Sequence, residues 1–323
     1  MYIVTGGAGF IGSVMVWKLN QKGIDDIIVV DKLRKEDKWK NLRKKRFADY
    51  IDKEEFINFL LNNKFSNIDA IIHIGACSST TEKDADYLMK NNFEYSKILA
   101  EYSLKNNIRF LYASSAATYG NGEFGYSDED SNTLKLKPMN MYGFSKHIFD
   151  LWVLKNNYQD KIVGFKYFNV FGPNEYHKKD MMSVICKAYS QIQNRGILRL
   201  FKSYKKGIPH GEQKRDFVYV KDVVDVMFYF LLNKDKNGIY NVGTGKARSF
   251  NDLAKATFNA MGKKVKIKYI DMPLAIRDRY QYFTEAKLDK LRKAGYSKEF
   301  TSLEEAIKDY VQNYLIKEND PYL

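Results

Sequence analysis

Short apolar runs alternate with longer stretches of mixed polarity through the first half of the chain. Residues 2–5, 27–30, 70–74, 110–113 and 162–167 are rich in β-branched and aromatic side chains and read as buried strands. Between them, residues 13–21, 53–63, 84–106 and 142–157 carry helical spacing and good helix formers. Repeated strand-then-helix units predict an α/β fold, with a doubly wound parallel sheet covered by helices on both faces. Beyond about residue 168 the pattern loosens. Gly172-Pro173-Asn174 signals a turn, 202–214 is a polar, glycine-containing loop, and strands are expected at 217–220, 239–242 and around 265–269. The expected division is a dinucleotide-binding domain of residues 1–168, with 217–244 returning to it. A smaller α/β substrate-binding domain of 169–216 and 245–323 would sit at the carboxyl edge of the sheet, where open α/β folds place their ligands.

The first turn carries the first chemical signal. Gly6-Gly7-Ala8-Gly9-Phe10-Ile11-Gly12 contains G-x-G-x-x-G directly after an expected strand and at the start of an expected helix, the context that gives this motif meaning. Such glycines allow a tight turn and let the backbone approach a pyrophosphate, which the helix N-terminus then faces with free N–H groups. Asp31, at the end of the next strand, stands where a ribose-binding carboxylate belongs and favours NAD. Lys32, Arg34, Lys38 and Lys53 pull toward NADP by offering cations beside the same ribose.

A second signal is Tyr142-Gly143-Phe144-Ser145-Lys146, which puts a tyrosine and a lysine on one face of a helix. A neighbouring ammonium is expected to lower the phenol's pKa, so that Tyr142 can exchange a proton while a nicotinamide carries the hydride. Ser115, after the fourth expected strand, could hold the same oxygen.

Composition narrows the setting. In 323 residues, 45% hydrophobic content excludes wholesale disorder, and a formal charge of +14 attracts polyanions without saying which. Two cysteines, Cys77 and Cys186, are too few for a disulfide framework. No secretory pattern or membrane-length apolar run is visible, so the expectation is a soluble cytoplasmic protein. The four histidines show no metal-ligand spacing, and no metal is expected.

Together with Ser114-Ser115-Ala116-Ala117-Thr118-Tyr119-Gly120, Phe168-Asn169-Val170-Phe171-Gly172-Pro173 and Arg215-Asp216-Phe217-Val218-Tyr219-Val220, these motifs resemble the extended short-chain dehydrogenase/reductase superfamily, of Rossmann type. Gly75-Ala76-Cys77-Ser78-Ser79-Thr80-Thr81-Glu82, Glu175-Tyr176-His177-Lys178 with Met181, and Arg279-Tyr280-Gln281-Tyr282-Phe283-Thr284 are similar, more narrowly, to the ADP-L-glycero-D-manno-heptose 6-epimerases. That resemblance implies NADP-dependent epimerisation at C6 of an ADP-heptose, by transient oxidation and re-reduction, to supply heptose for the lipopolysaccharide inner core. It implies two proton-handling residues, Tyr142 and Lys178, with Lys146 and Ser115 in support. Its cofactor contacts fall on Phe10, Ile11, Asp31, Lys32, Lys38 and Lys53, on Ile74, Gly75, Ala76, Cys77 and Ser78, and on Asn91, Lys146, Val170 and Lys178, beside the glycines Gly6, Gly7, Gly9 and Gly12.

Its substrate contacts fall on Asn169, Asp180, Lys187, Phe201, Lys202, Ser203, Tyr204, Arg215 and Tyr280. The chain departs from the family pattern at Lys32, where asparagine is common, at Ile74 (glutamate), at Asp180 (a small polar residue) and at Lys187 (histidine). Members are typically homo-oligomers, often pentamers. Other enzyme readings are a nucleotide-sugar 4-epimerase or dehydratase; the non-enzyme reading is a dinucleotide sensor or nucleic-acid-binding relative. Retention of both Tyr142 and Lys146 argues against the last. The expected partners are therefore small molecules, with neither nucleic acid nor a membrane among them.

Overall fold

The computed structural model describes residues 1–277, 280–317 and 319–323; Arg279 of the tail motif lies outside the described residues. Six strands form in the first half: β1 (Tyr2–Thr5), β2 (Ile27–Asp31), β3 (Asp49–Asp52), β4 (Ala70–His73), β5 (Arg109–Ser115) and β6 (Val163–Tyr167). Six more follow: β7 (Asn169–Phe171), β8 (Leu198–Phe201), β9 (Lys214–Tyr219), β10 (Gly238–Val242), β11 (Ala247–Ser249) and β12 (Ile267–Ile270). Seven of them make one sheet in the order β10-β6-β5-β4-β1-β2-β3, and every pair in it is parallel. The order reverses between β1 and β4. A crevice opens there beyond the carboxyl ends of the strands, the place where such folds take ligands.

Both faces of the sheet are covered because its strands are apolar on both sides. Val4, Ile72, Leu111 and Phe165 meet the helices Phe10–Asn20 and Val220–Leu232. Ile3, Ile71, Phe110 and Tyr112 meet Leu99, Phe149 and Val153 from the helices Tyr95–Lys105 and Met141–Lys155. The expected helix over 84–106 is broken by a π-type stretch, Met89–Glu94, which carries Asn91 and Asn92 to the crevice side. Sequence patterning missed β3, whose Asp49-Tyr50-Ile51-Asp52 is an edge strand with one buried residue. It also missed the three- and four-residue strands β7, β8 and β11, too short to show a period.

The smaller region is built from a three-stranded sheet, β11-β9-β7, and a two-stranded sheet, β12-β8. Asp216 on β9, fully buried, ties it to the end of β10. Its carboxylate accepts from Thr244 N–H (2.7 Å), the Thr244 hydroxyl (2.7 Å), Gly245 N–H (2.9 Å) and Ala286 N–H (3.0 Å). Four donors satisfy a charge that burial would otherwise make costly.

The tightest approach in the fold is at the first turn. A Cβ on Gly12 would stand 2.1 Å from the Gly6 carbonyl oxygen, and one on Gly6 (φ +67°) 2.6 Å from Gly75 N. We expect Gly12→Ala to push the first helix off the sheet and destabilise the protein by about 1–3 kcal/mol, read as a lowered denaturation midpoint. An unchanged midpoint would mean that the turn can relax.

Candidate active site

A cleft of ≈ 700 Å³ runs across the switch point, walled by the first turn, the ends of β2, β4, β5 and β6, and the turn Tyr176–Met181. At its floor the helix Phe10–Asn20 begins at Gly9, and no described side chain caps it, so its first N–H groups face the cleft. This glycine cradle and uncapped helix end fit a pyrophosphate. Asp31 accepts from Ala8 N–H (2.9 Å) and from its own neighbour Lys32 N–H (2.7 Å), which sets its carboxylate against the turn.

The loop after β4 is positioned by a chain of buried polar groups. Ser96 donates to the Asn92 carbonyl, so its oxygen accepts from His73 Nε2 at 2.8 Å. Nδ1 of His73 then accepts from the Thr5 hydroxyl at 2.7 Å. The ring is neutral, in agreement with a pKa driven down to about 3 by burial and by the Lys146 and Lys53 charges. Thr5 also receives Gly75 N–H (3.2 Å), and Asn92 clamps Cys77 through both its N–H and carbonyl (2.8 and 2.9 Å). Ile74, Gly75, Ala76, Cys77 and Ser78 therefore form one wall of the cleft.

At the ribose end, Lys32, Arg34, Lys38, Lys53 and Asn91 all reach the cleft. Lys38 donates to Asp31 Oδ1 at 2.7 Å, Lys32 pairs with Glu54, and Lys53 donates to Asn91 Oδ1. Burial holds the Lys53 ammonium below its usual range. Arg34, expected with these lysines as a cation beside the ribose, belongs to this wall as well.

At the reaction end, Ser115 closes β5 and Tyr142 sits in the first turn of the helix Met141–Lys155, capped by Asn140, which accepts Gly143 N–H at 2.8 Å. Tyr142, Lys146 and Ser115 share the cleft. The expected acidic phenol is not found: burial pushes the Tyr142 pKa up, and the neighbouring Ser115 hydroxyl offsets only part of this. Lys146 carries the larger perturbation, with burial pulling its pKa down to about 8. Tyr167, paired in register with Ser115, also walls the cleft; its buried hydroxyl finds no hydrogen-bond partner among the described residues.

Lys178 reaches the cleft from the turn Tyr176–Met181, its ammonium 5.4 Å from the Phe10 ring centroid. Burial lowers its pKa against the opposing charge of Glu175. Glu175, 1% exposed, anchors this turn by accepting from Ser183 N–H and hydroxyl, Gly172 N–H (3.3 Å) and Tyr310 hydroxyl (3.1 Å). Lys179 next door has φ +49° and ψ −119°, a strained conformation that this anchoring holds in place. Glu175 lies inside a recognised motif, but an acid three residues after a glycine gives no local sign that it will be buried.

Val170, expected at the cofactor, lines the cleft; of the substrate-side residues Asn169 does so, whereas Asp180, Lys187, Phe201, Lys202, Ser203, Tyr204, Arg215 and Tyr280 do not. Most of them form a separate cluster. Arg215 donates to the Gln281 carbonyl with its guanidinium 5.2 Å from the Tyr280 ring; Tyr204 N–H donates to Tyr282 hydroxyl (3.1 Å); Lys202 and the Tyr204 hydroxyl both meet Asp271 (3.0 and 2.7 Å). Lys187 donates to the Asp180 carbonyl. Gly7 packs against Val29 behind the turn and only supports it.

The NAD dependent epimerase/dehydratase family matches residues 2–243. A relative from Fusobacterium nucleatum subsp. nucleatum, named ADP-L-glycero-D-manno-heptose-6-epimerase, is 56% identical with all of both chains covered. Two solved structures are similar throughout. The Helicobacter pylori ADP-L-glycero-D-manno-heptose-6-epimerase has TM-score 0.81 and 28% identity, over 97% of this chain and 95% of that one. A UDP-N-acetylglucosamine 4-epimerase from Methanobrevibacter ruminantium has TM-score 0.83 and 26% identity, over 98% of each.

Two outcomes follow from the buried groups. Because Lys146 has a folded pKa below its unfolded one, its ammonium destabilises the fold below pH 8, and this penalty fades as pH rises toward 10.5. Lys146→Met should therefore stabilise the ligand-free protein at pH 7, by on the order of 3 kcal/mol, with the gain shrinking at pH 10 in denaturant titrations. Tyr167→Phe removes an unpaired hydroxyl and should leave ligand-free stability unchanged or raised by up to ~1 kcal/mol. A loss above that would show that the hydroxyl has a partner.

Proposed function

From its membership of the NAD dependent epimerase/dehydratase family, to which this chain belongs, we propose that it inverts C6 of an ADP-linked glycero-manno-heptose, converting the D-glycero to the L-glycero form. The carrying observation is that Tyr142, Ser115, Lys146 and Lys178 converge from separate elements on one cleft whose floor is a dinucleotide cradle. When bound, the nicotinamide cofactor supplies the acceptor and then the donor of the hydride. Everything else falls to side chains. Ser115 and Tyr142 share the cleft and so can hold one substrate oxygen, with Tyr142 taking its proton as C6 becomes a ketone. Turning the planar ketone over moves its oxygen, and a single fixed acid–base group would then serve one epimer poorly. Lys178, on a different element and easier to deprotonate than an ordinary lysine, answers that need.

Residues 1–168 with 217–244 would hold the cofactor, and 169–216 with 245–323 the sugar nucleotide. In this reading Arg215 serves the pyrophosphate by paired N–H donation and Tyr280 supports its plane. We take NADP as the cofactor: Lys38 already engages the Asp31 carboxylate, while Lys53, held by the neutral Asn91 amide, and Arg34 offer their cations to a 2′-phosphate at the same wall. The enzyme would act in the cytoplasm as a homo-oligomer, and its product would feed the lipopolysaccharide inner core.

Incubation with ADP-D-glycero-β-D-manno-heptose should yield the 6-epimer by NMR; turnover of UDP-hexoses in its place would reject the assignment. Tyr142→Phe and Lys178→Met should each lower kcat by about 10²–10⁴-fold with cofactor still bound, and full activity of the lysine variant would remove the second base. Lys53→Met should weaken NADPH binding about tenfold while sparing NADH, in line with the loss of one charge-assisted contact.

A further inference from the structure

Beneath the reaction end lies an ion pair that the chemistry above leaves unused. Asp150 and Lys166 have no solvent-exposed side-chain surface and meet at 2.6 Å. Tyr112 hydroxyl donates to Asp150 Oδ1 (3.0 Å) and Ser114 hydroxyl to Oδ2 (2.7 Å), while Lys166 also donates to Thr118 Oγ1 (3.0 Å). The register of β5 on β6 pairs Ser114 with Lys166, which sets both side chains on the sheet face under the helix Met141–Lys155. On that helix Asp150 follows Lys146 by one turn and Tyr142 by two, so the three form a single stripe.

A buried ion pair is weak evidence for stability, because a well-packed apolar pair would serve as well or better. We propose that Asp150, ion-paired with Lys166 one helical turn from Lys146, is a positioning residue that holds Lys146 in its ammonium form and so sets the upper pH limit of cofactor binding and turnover. This rests on the reading of Tyr142 and Lys146 as the working pair.

The surroundings of Lys146 support the assignment. Burial drives its proton off toward about pH 8, and Asp150 is the foremost group opposing this, ahead of Cys77 from the loop after β4. Tyr142 shares its helix face, and His73 on β4, the other titratable neighbour, is neutral. Around Asp150 stand Lys166 from β6, Tyr112 from β5, and His147, whose pKa burial lowers further than Asp150 can restore. Asp150 is thus the carboxylate among these groups, and its charge acts on Lys146 through a dry interior where screening is weak.

The test is the pH dependence of NADPH binding by the full-length protein, followed by fluorescence, together with the kcat/KM profile for ADP-heptose. Asp150→Asn should move the upper limb of both to lower pH by about one unit, a tenfold change in proton concentration. Tyr112→Phe breaks a hydrogen bond of the same network but keeps the charge, and its limb should stay in place even where stability falls. If Asp150→Asn does not fold, the double variant Asp150→Asn/Lys166→Met removes the unpaired cation and should still show the lowered limb. A limb unmoved in the Asp150 variants, or moved equally by Tyr112→Phe, overturns the proposal. Because NADPH binding needs no sugar, failure to turn over the heptose would reject the functional reading while leaving this test intact.

Discussion

Glycine packed on glycine at the end of β1 is the constraint from which the rest of the site follows. A side chain at Gly12 would collide with the Gly6 carbonyl, and one at Gly6 would collide with Gly75 from the loop after β4. That contact draws the first helix down onto the sheet with its uncapped end facing the crevice. It also lets the loop after β4 come close enough for Thr5 to take Gly75 N–H and fix the far wall. With a wider turn, neither the phosphate-facing amides nor the Ile74-to-Ser78 wall would lie where they do.

Around this turn, several segments at and beside the cleft are wired to the sheet by a buried polar group with its donors supplied. Asn92 holds the loop after β4, Glu175 the Lys178 turn, Asp216 the connection after β10, and Asp150 the helix bearing Tyr142 and Lys146. Satisfied networks of this kind rigidify a site. The same dry surroundings make cations reluctant, so Lys146 and Lys178 both have lowered pKa values. Stability and reactivity are therefore opposed at these two lysines, the trade-off expected where a site is built for chemistry.

Much of this was legible in the chain. The glycine turn, Asp31, Ser115, Tyr142 and Lys146 each sit at a junction between an apolar run and a helical pattern, and their spacing carries their meaning. The stripe Tyr142, Lys146, Asp150 was readable too, as i, i+4, i+8 on one helix, though nothing local says that Lys166, sixteen residues on, will be its counter-ion. The expectation of an acidic Tyr142 failed because it counted a neighbouring charge and not the burial that outweighs it. The substrate-side residues were named as one set, yet Asn169 lines the cleft while Arg215 and Tyr204 belong to a cluster knit together by Gln281, Tyr282 and Asp271.

By itself, then, the order of residues determined what is local: which runs form buried strands, where the chain must turn on glycine, and which side chains share a helix face. These follow from sterics and periodicity over a few residues. Only the tertiary structure decided which distant groups meet, and how much water they keep. The pairing of Asp150 with Lys166, the Tyr167 hydroxyl without a partner among the described residues and the pKa near 8 of Lys146 all depend on strands brought into register from far apart. Desolvation is a property of the packed interior, and no stretch of sequence contains it.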